Sequence, residues 1–116
     1  MVENLPRIVG DVREGDGSGA VWNLAPAERT LDANVIYLPA GDGIAEHVGP
    51  HLDVLIHVIE GSGTLTTEDG EIALEPGALV WLPKKSRRAF SAGKDGLRSL
   101  SVHGRKPMLG LLTRQP

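Results

Sequence analysis

Val54-Leu55-Ile56-His57-Val58-Ile59, followed by Glu60-Gly61-Ser62-Gly63, is the stretch on which the fold turns. β-Branched residues dominate it, and it is apolar on both alternating faces, so it reads as a strand covered on both sides. Gly61-Ser62-Gly63 predicts a turn into a second strand over 64–67, and Glu68-Asp69-Gly70 a hairpin turn before 71–74. Pro76-Gly77 breaks the chain again before 78–82, which Pro83 ends. Upstream, 44–48 is a short strand closed by Gly49-Pro50, and 35–38 is a strand ending at Pro39-Ala40-Gly41-Asp42-Gly43. Downstream, 97–103 alternates, with Leu100 and Val102 on one face and Ser99, Ser101 and His103 on the other.

The ends of the chain are less regular. Residues 1–31 form an irregular segment with a loop and a possible first strand, part of the same domain as 32–116. Glu14-Gly15-Asp16-Gly17-Ser18-Gly19 is rich in acid and glycine, but it lacks the terminal bidentate glutamate of a calcium loop. Ala25-Pro26-Ala27-Glu28-Arg29 is a helical turn or a bend, and 105–116 is a last strand or a frayed terminus. No helix-period segment longer than about two turns is present. With 15 glycines and 8 prolines in 116 residues, short strands joined by turns imply one all-β domain, a sandwich or barrel.

Composition removes several classes of function. A net charge of −3 argues against nucleic-acid binding, which needs a basic field. The absence of cysteine excludes disulfides, thiolate catalysis and cysteine-based zinc sites. Residues 1–10 do not read as a signal peptide, and no apolar run approaches the ~20 residues of a membrane span. A cytoplasmic protein without a membrane partner is the expectation.

The segment from Gly41 to Ala92 resembles the cupin family. Its first motif is a glycine, five residues, His-x-His, a glutamate three or four residues on, and a glycine six residues later. Here Gly41, His47 and Gly61 fall at those spacings, which places motif one over 41–61. The second motif is a glycine, five residues, Pro-x-Gly, a histidine and an asparagine. Gly77 and Pro83 fit it, placing motif two over 77–92, and the short spacer between Gly61 and Gly77 suits a small cupin. The resemblance implies a single-domain jelly-roll β-barrel, the double-stranded β-helix, within 32–116. It also implies a homodimer, in which strand 54–59 covers one face against a partner.

A metal-binding cupin would use the two histidines and the glutamate of motif one with the histidine of motif two. Residue by residue, His47 matches the first ligand, Gly49 stands at the second and Val54 at the glutamate. Arg88 replaces the motif-two histidine, Lys85 its glycine and Ala92 its asparagine. Glycine and valine donate nothing, and a guanidinium repels a cation, so no metal is expected at the usual positions. A rearranged centre would use His47 and His51 with a divalent transition metal, as in an oxygenase or isomerase. Asp53 lies one residue from the glutamate position, which turns it to the opposite face.

A family-position Arg88 lies inside the barrel, where it could clamp a carboxylate or phosphate with His47 as a neighbouring hydrogen-bond partner. Trp81 is expected in core or pocket wall, and Tyr37 as a proton donor to a ligand or a half-buried strand residue. His57 is expected to point away from the barrel, and His103 toward cavity or solvent. The run Lys84-Lys85-Ser86-Arg87-Arg88 reads first as a solvated loop. Three functions follow: a binder of a small, anionic molecule through His47, Arg88, Trp81 and Tyr37; the rearranged metalloenzyme; and a protein-interaction module. No phosphate loop, nucleophile elbow or His-Glu-x-x-His motif is present.

Overall fold

The strand that begins at Val54 does not stop at the glycines. A computed structural model describes residues 5–105. Its strands are β1 (Gly19–Asn23), β2 (Leu31–Leu38), β3 (Gly43–Val48), β4 (Val54–Thr67), β5 (Gly70–Leu74), β6 (Leu79–Leu82) and β7 (Arg87–Gly104). Among the described residues there is no helix, and so none long and apolar enough to cross a membrane. Every ladder is antiparallel, in the order β1-β2-β7-β4-β5, with β3 added to β7 and β6 to β4.

β4 and β7 pair along most of their length, and their ladder slips between Val58 and Glu60 and again between Gly61 and Gly63. Gly61-Ser62-Gly63 is therefore an irregularity within one strand and not the turn its composition suggests. Extra residues on one side of a ladder bend and twist it. Gly61 has φ +85°, and a Cβ there would overlap the carbonyl of Gly96 on β7, so only glycine fits the crossing. The Glu68-Asp69 hairpin does form, pairing Thr67 with Gly70.

The bend divides the sheet into two halves. One holds β1, β2, β6 and residues 54–58 and 97–104; the other holds β3, β5 and residues 63–67 and 87–92. Leu38, Val54, Ile56, Val58, Leu82 and Leu97 from the first share a core with Leu65, Leu74 and Ala92 from the second. Full burial of each large side chain is worth roughly 1.5–3 kcal/mol. No ladder joins β1 to β5, so the sheet is bent rather than closed, and the architecture is of the jelly-roll class.

Of the basic run, Lys84 and Lys85 make a turn, while Arg87 and Arg88 already belong to β7. The 25–29 segment is a turn, closed by the Arg29 amide donating to Pro26 O at 3.3 Å. Whether the tail forms a strand lies outside the described residues beyond 105.

Candidate functional site

Between the two halves lies a cavity of about 240 Å³. Its wall is mostly apolar, from Ile36, Ile44, Ile56, Leu82, Phe90 and Leu97 among others, and its polar groups are His47, Arg88, Ser99, Ser101 and His103. Arg88 is its one lysine or arginine. Paired in register with His47 across the β3–β7 ladder, it projects to the same face as the imidazole. The turn before it is fixed by two main-chain bonds: Gly49 N to Ser86 O at 2.9 Å and Lys85 N to Pro50 O at 2.7 Å. Glu46 and Arg87, one residue along each strand, form an ion pair at 3.4 Å on the opposite face.

The Arg88 side chain is only 3% exposed, and its Nε and Nη2 have no acceptor. Burial pushes its pKa down, but a guanidinium remains charged at any physiological pH. Those two nitrogens form the edge that grips a carboxylate bidentately. Gly49 explains how the side chain fits. Position 49 is buried, and a Cβ there would overlap the guanidinium. The space a second metal-ligating histidine would need is filled by Arg88.

Both histidines of the cavity are oriented by main-chain carbonyls, His47 Nδ1 donating to Ala45 O at 2.9 Å and His103 Nδ1 to Gly104 O at 2.8 Å. A carbonyl only accepts, so in the neutral ring Nε2 carries the lone pair. Asp32 stands opposite His103 in the β2–β7 ladder. The bond from Arg29 Nε, 2.7 Å, is the main reason its carboxyl titrates below the usual range, with Arg29, His103 and Arg105 charges adding to it.

Several sequence expectations need correction. Trp81 is 63% exposed and does not line the cavity. β6 pairs Leu82 with Val54 and Trp81 with Leu55, so Val80 and Leu82 take the inner parity while Leu79 and Trp81 face outward. Tyr37 also faces out. It pairs with Arg98, whose guanidinium carbon sits 5.1 Å from its ring centroid. His51 is exposed and is not among the residues that line the cavity with His47. As expected, Asp53 is turned away from the glutamate position, accepting the Lys84 amide at 3.0 Å, and His57 faces outward. Ser99, Ser101 and Ile44 were not among the sequence's candidates. The 99–103 alternation held the signal for the serines, but the choice between cavity and solvent needed the ladder.

A cupin metal would need donors where Gly49, Val54 and Arg88 stand. The first two supply none and the third is a cation, so these residues do not fit a metal at that place. Among the described residues no group of three or more His, Asp or Glu side chains is placed to share an ion.

A bent double sheet with its cavity between the halves defines a double-stranded β-helix domain, and solved structures agree. A protein of Bacillus halodurans superposes with TM-score 0.70 at 18% identity, over 90% of this chain and 84% of the other. A Klebsiella pneumoniae protein with a double-stranded β-helix domain gives 0.68 at 17%, over 85% and 90%. A cupin protein of Bacteroides fragilis gives 0.62 at 21%, over 72% of each chain. The chain has the cupin fold. No family model matches its sequence, and no curated protein does.

Proposed function

We propose that this chain binds a small organic anion in the cavity, with the acid group on Arg88. The buried guanidinium edge without an acceptor carries this reading. Buried polar groups are nearly always partnered, and an unpartnered pair on a residue that lines a cavity calls for a ligand. Arg88 is the only lysine or arginine among the lining residues, and the rest of the wall is largely apolar. Those features favour a monocarboxylate over a phosphate dianion. At about 240 Å³ the cavity is smaller than the ~300–1,000 Å³ of drug-sized sites, so the occupant is small. An open cavity with convergent polar groups supports a binder over an interaction module with a filled interior. The misfit of the metal positions favours it over a metalloenzyme.

Titration calorimetry with short-chain carboxylates and inorganic phosphate tests the proposal. Carboxylates should bind, phosphate should bind weakly or not at all, and Arg88→Met should abolish the signal. Equal binding by the variant, or no carboxylate binding by the wild type, overturns it.

A further inference from the structure

The half of the sheet that does not carry Arg88 offers the ligand more than apolar contact. Ser99, Ser101 and His103 alternate along β7 and all line the cavity. Successive members are roughly 7 Å apart along the strand. Neither serine hydroxyl has a hydrogen-bond partner among the described residues, and the only bond His103 makes is through Nδ1. Their β4 neighbours across the ladder, Val58, Ile56 and Val54, are apolar and offer none. On the β2 side Ser99 faces Ile36, Ser101 faces Asn34 without a hydrogen bond between their side chains, and Asp32 opposite His103 is engaged by Arg29.

This wall therefore presents two free hydroxyls and, in the neutral ring, one free lone pair to a cavity whose other polar groups are His47 and Arg88. Covering them with hydrocarbon would leave them unpaired at a cost in free energy. We infer that the ligand is a hydroxy acid, its carboxylate on Arg88 and its hydroxyl on the Ser99–Ser101–His103 wall. The inference rests on the reading that Arg88 receives the acid. The lone pair on His103 Nε2 selects hydroxyl over oxo, because an oxo oxygen only accepts whereas a hydroxyl donates to Nε2 and accepts from serine. A site built to hydrogen-bond a hydroxyl discriminates strongly against the analogue lacking it.

The test is calorimetry at pH 8, above the ordinary imidazole range. It compares pentanoate, its 2-, 3-, 4- and 5-hydroxy derivatives and the matching oxo acids. One hydroxy isomer should bind at least about tenfold tighter than both pentanoate and its oxo counterpart. Ser99→Ala/Ser101→Ala and His103→Leu should each shrink that advantage severalfold, read as the ratio of hydroxy-acid to pentanoate affinity within each variant. If pentanoate binds as tightly as every hydroxy acid, this inference fails and the Arg88 reading stands. An advantage that survives both variants also overturns it. If no acid binds, the Arg88 reading fails and this one with it.

Discussion

In the proposed function, Arg88 sets binding against stability within one side chain. Two of its donors are buried without acceptors, and an unsatisfied buried polar group costs about 1–3 kcal/mol, more when charged. Arg88→Met keeps much of the side chain's length and apolar packing while removing the charge. We expect it to raise unfolding free energy by about 1–3 kcal/mol, read from urea denaturation, while anion binding is lost. A destabilised Arg88→Met would mean that the guanidinium is satisfied in the folded protein, which would undercut its proposed role as an anion site. The substitution of Arg88 for the motif histidine is legible in sequence, as is the glycine at 49. Their interlocking is not, because nothing in the order of residues says that the guanidinium fills the room left beside Gly49.

Strands carry the next level of information, and here alternation is the limit. β4 reads clearly as a strand from its β-branched residues, and the family position of Val54 gives its inner parity. β6 does not: Leu79, Val80, Trp81 and Leu82 are apolar on both faces, so size alone points the tryptophan inward. Only the register with β4 reverses that choice. Arg98 shows the same limit. It is 7% exposed, and its guanidinium donates to the carbonyls of Val12 at 3.3 Å, Glu14 at 3.0 Å and Gly15 at 3.3 Å, holding the 12–15 segment against β7. Partners more than eighty residues away leave no local pattern. Arg98→Met should destabilise the protein by about 2–4 kcal/mol and speed amide hydrogen exchange across 11–16. Glu60→Gln should cost no more than about 0.5 kcal/mol, since Glu60 is exposed and lies 3.4 Å from Nε without hydrogen-bond geometry. Unchanged exchange in Arg98→Met would show that the segment is held by other contacts.

For the molecule as a whole, the face of the sheet opposite the cavity is only half covered. The N-terminal segment shields its β1–β2 side: Val9, Gly10 and Val12 border a second apolar cavity with Trp22 and Val35, and Val35 is fully buried. Trp22 Nε1 donates to Val9 O at 3.3 Å, fastening that cover. On the β4–β6 side Leu55, Leu79 and Trp81 stay 45%, 69% and 63% exposed. His57 lies among them, and no outward residue of 54–58 or 79–82 is an acid, lysine or arginine. A two-fold contact sets a surface against itself, so a charged face would meet like charge, while this uncharged apolar one does not. A second copy of the chain is accordingly the expected occupant, in keeping with the two-sided strand read from sequence. Sedimentation velocity across micromolar concentrations should show a dimer. Leu79→Glu/Trp81→Glu should shift it to monomer with anion binding intact, because neither residue reaches the cavity. A wild-type monomer throughout that range would overturn the pairing, and so would a dimer undisturbed by the two glutamates. Loss of anion binding in a folded double variant would return Trp81 to the pocket and contradict the β6 parity.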